Sequence, residues 1–333
     1  MTRLSFTVLC LSAFGIANAG ERLLRGVPTT PLENLRPAGT FSIVARDPST
    51  GELGVGVQSH WFSVGANVSW AEAGVGAVAT QSFIDPGYGP RGLVLMKSGK
   101  PAAEALEELL AADPSRDVRQ VAFIDADGRT AVHTGAKCIP FAGDRSGSNY
   151  SAQGNLLASP EVWQAMGRAF EETEGDLGDR ILAALQAGQG AGGDARGKQS
   201  AALLVVRSVS QDEPWRNRVV DLRVEDHPAP IAELTRLYQL RKAYDLATVG
   251  DDYLAAQDFE KAFEAYDAAL AIVPDNDELL FWRGAMLMNA GREAEAVADI
   301  KRAIEMNPRW LALLERIQEE HFPGARKVLE QVR

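Results

Sequence analysis

The chain has 333 residues, too many for one ordinary core, so two domains are the first expectation. A hydrophobic share of 46% with a charged share of 24% is that of an ordinary folded protein. A formal charge of -11, with no clustered Lys/Arg run, excludes a nucleic-acid surface as the main business of the chain.

In chain order, MTRLSFTVLCLSAFGIANAG reads as a secretory leader. Arg3 gives the positive start, Leu4 to Ile16 the apolar run, and Ala17-Asn18-Ala19 the small-x-small cleavage site. The expectation is a signal peptide over 1–19 and export to the periplasm or beyond. Residues 20–39 carry three prolines and read as a linker, a propeptide or an ordered arm. With Cys10 in the leader, Cys138 stands alone, so no internal disulfide is expected and the thiol reads as a small buried hydrophobe.

From Thr40 the pattern is β. Phe41, Ile43 and Ala45 alternate with Ser42 and Val44, a Pro48–Gly51 turn follows, and Leu53 to Val57 completes a hairpin. A buried strand is expected over Val75–Thr80, helices over Arg91–Met96 and from Pro101, and a second hairpin around Asp127-Gly128. Two more helices are expected over 161–171 and 177–187, then a glycine-rich loop, GQGAGGDARG, and strands over Ser200–Val206 and Val219–Val224. Strands at both ends with helices between them read as α+β over 40–226.

The remainder is helical and repeats. Gly250, Tyr253, Ala262, Tyr266, Ala269 and Pro274 are matched by Gly284, Leu287, Ala296, Ile300, Ala303 and Pro308, each pair 34 apart. That is the tetratricopeptide period, and it predicts two repeats over 243–309. Two repeats cannot bury their own faces, so a connecting helix over 227–242 and caps over 310–333 are expected. Such a module docks a protein or peptide partner.

The candidate chemistry starts at Gly39-Thr40. Cut between them, Thr40 gains an α-amine beside its hydroxyl, and one residue supplies both nucleophile and base. Ser59, Gln81, Asn155, Asp194 and Arg196 lie at strand ends or in the glycine-rich loop, where they can converge on Thr40. An Asn side chain suits an oxyanion, so Asn155, with Gln81, is the expected donor set. Arg196 reads either as a clamp for a substrate carboxylate or as a partner of Asp194 that fixes the loop. Ser42 reads as a strand hydroxyl. His60 and His133 lack partners at ligand spacing, and neither a G-x-S-x-G elbow nor a phosphate loop is present. No metal or organic cofactor is expected.

TFSIVARDPSTGELGVGVQS (40–59), AGVGAVATQSFIDPGYGPRGL (73–93), SAQGNLLASPEVWQAM (151–166) and GGDARGKQSAALLVVR (192–207) together resemble domain of unknown function family 1028, placed in the N-terminal nucleophile (Ntn) hydrolase superfamily. The resemblance implies a four-layer αββα sandwich with the nucleophile on the first strand. It also implies an amidohydrolase acting on an amide, a peptide or cell-wall fragment among the candidates. Family members commonly carry the Thr directly after the initiator Met; here it sits far inside, so a second cleavage after the leader's is required. No lysine lies between Thr40 and Lys97, so a proteasome-like Thr/Asp/Lys set does not carry over. Two rival expectations stand beside the hydrolase: a catalytically silent scaffold working through its repeats, and a cryptic hydrolase activated by another protease. Self-association is left open.

Overall fold

In the computed structural model, residues 39–333 are described; the expected leader and most of the segment up to Gly39 lie outside them. The chain divides into two compact units between Pro228 and Ala229.

The first unit is built on two antiparallel sheets. β1 (Thr40–Arg46), β2 (Leu53–Ser59), β7 (Gly143–Gly147), β8 (Tyr150–Asn155), β9 (Ser200–Val206) and β10 (Arg218–Val224) form a six-stranded sheet in the order β10-β9-β2-β1-β8-β7. β3 (Ser69–Glu72), β4 (Gly76–Ser82), β5 (Arg119–Asp125) and β6 (Thr130–Thr134) form a four-stranded one in chain order. The sheets face each other, with β1 and β2 against β4 and β8 against β5. Beyond a four-residue helix α1 (Gly65–Val68), α2 (Tyr88–Lys97) and α3 (Ala102–Ala112) cover the outer face of the smaller sheet. α4 (Val162–Glu172) and α5 (Leu177–Gly190) cover the larger.

Alternation along the strands sorts these faces. Val44, Val55, Val57, Ala77, Ala79 and Ile124 meet between the sheets, while Val78, Val121 and Phe123 turn outward to Leu93, Met96 and Leu106 of the helices. β2 alternates valine with glycine because α5 lies close. A Cβ on Gly56 would stand 2.3 Å from Ile181 Cγ2, and one on Gly54 2.7 Å from Ile181 Cδ1. The glycine-rich stretch expected as a loop is helical through Gly190, since Gly188 marks a close approach rather than a break. Its Cβ would meet Met166 Cγ at 2.7 Å and Phe41 at 3.2 Å.

The second unit is helical: α6 (Pro230–Ala255), α7 (Phe259–Ile272), α8 (Asp277–Asn289), α9 (Glu293–Met306), α10 (Arg309–Leu314) and α11 (Ala325–Val332). The expected connecting helix and the first repeat helix are one element, since nothing between Pro230 and Ala255 breaks the helix. The 34-residue correspondence becomes a packing rule. Tyr266 rests on Gly250 and Ile300 on Gly284, each within 2.6 Å of where a Cβ would be. Asp258 and Asn276 cap the starts of α7 and α8. Phe281, Trp310 and Phe322 pack at the end of the repeats. Among the described residues no helix is long and apolar enough to cross a membrane.

Candidate functional site

Thr40 is the first residue of β1, a strand paired on both sides. It stands opposite Ser59 of β2 and opposite Asn155 of β8. Alternation turns all three side chains toward the smaller sheet, whose Gln81 and Gln120 are themselves in register. The space between the sheets is therefore apolar at one end and polar at the other. Thr40, Ser42, Ser59, Gln81, Gln120, Gln153 and Asn155 are all fully buried.

Buried polar groups need partners, and these find each other. Gln120 is the hub. Its Oε1 accepts from Gln81 Nε2 (2.8 Å) and Asn155 Nδ2 (2.9 Å), while its Nε2 donates to the carbonyls of Gly154 (2.8 Å) and Gly143 (3.1 Å) and to Thr134 Oγ1 (3.0 Å). Gln81 Nε2 also donates to the Thr40 carbonyl at 3.2 Å, and Gln81 Oε1 accepts from Ser42 Oγ at 2.7 Å. Both hydrogens of the Gln81 amide are thereby committed inside the protein. Gln153 Nε2 crosses to Ser42 Oγ (3.3 Å) and to the Ala79 carbonyl (3.2 Å). Because Gln120 donates on one side, its oxygen must face Asn155; this fixes the Asn155 amide with Oδ1 outward from Gln120 and, among the described residues, without a hydrogen-bond partner.

The other side of Thr40 holds the bond to Gly39. Thr40 Oγ1 donates to Ser59 Oγ (3.1 Å), and Ser59 Oγ donates to the Gly39 carbonyl (2.5 Å). Arg196 Nη2 donates to the same carbonyl at 2.8 Å. The loop pairing expected for Arg196 is also present. Nε and Nη2 grip Asp194 Oδ1 (3.1 Å) and Oδ2 (2.8 Å), and Asp194 accepts as well from the backbone N–H of His60 and Arg196. A Cβ on Gly39 would lie 2.9 Å from Leu156 Cδ2 and 3.0 Å from Arg196 Nη2, so a side chain there would push on both.

Thus Ser59, Gln81, Asn155, Asp194 and Arg196 are gathered around Gly39 and Thr40, with Ser59 and Arg196 on the Gly39 carbonyl and Gln81 on that of Thr40. Sequence reasoning missed Gln120 and Gln153. Each sits in a strand buried on both faces, and the signal would have been an amide among apolar neighbours (RQVAFID, YSAQGN). His133 lies away from this cluster, its Nε2 against the Arg116 carbonyl at 2.9 Å. Cys138 is half-buried, and burial pushes its thiol up despite bonds from Ser82 and Gly135. Among the described residues no three His, Cys, Asp or Glu side chains gather to hold a metal.

Three comparisons bear on this arrangement. Residues 40–234 match the family model described as Family of unknown function (DUF1028), and residues 250–291 match a TPR repeat. The crystal structure of protein SPO2555 from Silicibacter pomeroyi, itself described by DUF1028, is similar with a TM-score of 0.55 and 33% identity over 60% of this chain and 85% of that one. A curated relative, Protein STIP1 homolog of Dictyostelium discoideum, is 30% identical over 70 residues, 21% of this chain; the chain spans 12% of that relative's length.

Proposed function

The chain belongs to the DUF1028 family of unknown function and carries a TPR repeat, and from that premise we propose an exported N-terminal-threonine amidohydrolase whose helical unit docks a protein partner. One observation carries the catalytic half: the Gly39–Thr40 carbonyl is held by Ser59 Oγ and Arg196 Nη2, while Thr40 Oγ1 is bonded to Ser59. Two donors on one carbonyl oxygen, one of them a guanidinium, suit an oxygen that takes on negative charge.

In this reading Thr40 Oγ bonds to the Gly39 carbonyl carbon, the Gly39 C–N bond breaks, and the hydroxyl gives up its proton. Ser59 Oγ takes that proton from Thr40 Oγ1 and passes its own to the Gly39 carbonyl oxygen as the tetrahedral intermediate forms; this proton leaves the oxygen as the C–N bond breaks and ends on the nitrogen. Water then splits the resulting ester to a Gly39 carboxylate and a free Thr40 amine. The mature residue attacks a substrate amide with its own amine as base. Asn155 holds the oxyanion with its second Nδ2 hydrogen, and Gln81 fixes the Thr40 carbonyl. The helix-covered pair of facing sheets, with Thr40 on the first strand, supports the Ntn four-layer sandwich, as does the family.

The proposed domain limits are a leader over 1–19, a segment to 39, the hydrolase-like unit over 40–226 and the repeats over 243–309 between a linking helix and caps. Intact mass and N-terminal sequencing of purified full-length protein test the reading. Chains beginning at Thr40, trapped uncut by Thr40→Ala and slowed by Ser59→Ala, are expected. Folded chains that retain Gly39 and hydrolyse no amide would sink it. The silent scaffold would then be the better account, favoured by the TPR match and by the similarity to the STIP1 homolog.

A further inference from the structure

A cavity of about 720 Å³, in the size range of small-molecule sites, opens just past the end of β2. β2 ends at Ser59, opposite Thr40, and the next residues, His60, Trp61 and Phe62, form one wall. The segment leading into β9 forms the other with Arg196 and Gln199. The walls are tied together: His60 N donates to Asp194 Oδ2 at 2.9 Å, and Gln199 N donates to the Ser59 carbonyl at 3.1 Å. Arg196 joins cavity and site, lining the first while reaching the Gly39 carbonyl with Nη2.

The lining chemistry is selective. Among the described residues it carries a guanidinium, an imidazole, side-chain amides and a hydroxyl, and no carboxylate. Asp194 stands behind Arg196 with its side chain fully buried, its charge spread over two backbone and two guanidinium N–H donors, whereas the Arg196 side chain is 28% exposed. The guanidinium plane is thus fixed in advance, which lowers the entropic cost of meeting an oxyanion. Beside it Phe62 is 63% exposed, a large ring left in water next to Trp61. A ring with that exposure on a cavity wall is a surface for a flat apolar group.

We propose that this cavity binds a carboxylate through Arg196 and a flat apolar group through Trp61 and Phe62, which makes the substrate class N-acyl amino acids and short peptides with a free carboxylate. Calling the ligand a substrate rests on the Thr40 reading; the binding does not. The test uses the full chain and N-benzoylglycine, with N-benzoylglycinamide as its neutral counterpart, by titration calorimetry and tryptophan fluorescence. The carboxylate is expected to bind about tenfold tighter or more than the amide. Arg196→Met erases that preference, and Arg196→Lys restores part of it. Phe62→Ala, at an exposed position, weakens both ligands alike, and the fluorescence change disappears in Trp61→Phe. Saturable binding of the acid by the parent chain, with no amide hydrolysed, refutes the hydrolase while leaving the cavity's assignment intact. Absence of saturable binding, equal binding of acid and amide, or indifference to Arg196→Met and Phe62→Ala overturns the assignment, whatever happens at Thr40.

Discussion

Gln58 and Gln120 are the same residue type at the same full burial, and their replacement by methionine should move stability in opposite directions. Methionine approximates the shape of glutamine without its amide. Gln120→Met strands Asn155 Nδ2 and removes the 2.8 Å donor from the Gly154 carbonyl. Each orphaned buried group costs about 1–3 kcal/mol, so the loss is about 2–6 kcal/mol. Gln81 Nε2 keeps the Thr40 carbonyl and adds little. Gln58 lies on the opposite face of its sheet, and among the described residues neither Nε2 nor Oε1 has a hydrogen-bond partner. Its replacement removes an unsatisfied amide and is expected to be neutral or stabilising by about 1–3 kcal/mol. Scanning calorimetry reads the result, with the transition of the sheet unit followed apart from that of the repeats. At about 2–4 °C per kcal/mol for a unit of this size, Gln120→Met lowers its midpoint by about 4–24 °C. Equal shifts in the two variants, or a larger loss at Gln58, would refute the network.

Gly54→Ala should cost about 1–3 kcal/mol through overpacking against Ile181 Cδ1, 2.7 Å from where its Cβ would stand, and Ile181→Val, which removes that atom, should recover part of it, read as a coupling in a double-mutant cycle. Arg283 holds Asp299 through Nε (2.7 Å) and Nη2 (3.0 Å) and also contacts Asp267, so Arg283→Met should lower the midpoint of the helical unit alone, by about 1–3 kcal/mol in stability. Burial opposes ionisation of Asp113, but bonds from Arg119, the Ser115 N–H and Tyr88 outweigh it and hold the carboxyl below its usual range. A depressed folded value contributes stability above the unfolded pKa of about 3.9 that is lost as pH falls through the folded one. Asp113→Asn should therefore be less stable than the parent at neutral pH, with the gap closing below about pH 4 in denaturant titrations.

Alternation made β1 and β2 legible, and the 34-residue echo made the repeats legible, because in both cases one periodicity dominates the burial. β7 (GDRSG) and β3 (SWAE) were invisible, being short and half-buried, and held by their neighbours rather than by their own residues. Gly188 misled because the same residue serves a loop and a tight helix contact, and only Phe41 and Met166 tell which. Thr40, Ser59, Asn155 and Arg196 were found because they end strands or sit beside glycine. Gln120 was not, because mid-strand it looks like any interruption of an apolar run, and its partners come from β4, β6, β7 and β8.

The placement of Thr40 between β2 and β8 inverts a familiar gradient. A strand end is ordinarily the first part of a sheet to fray, and its amides lose protection against hydrogen exchange earliest. Here the residue that starts β1 is clamped from two sides and roofed by the second sheet, so the N–H groups of Phe41 and Ser42 should rank among the slowest-exchanging in the protein.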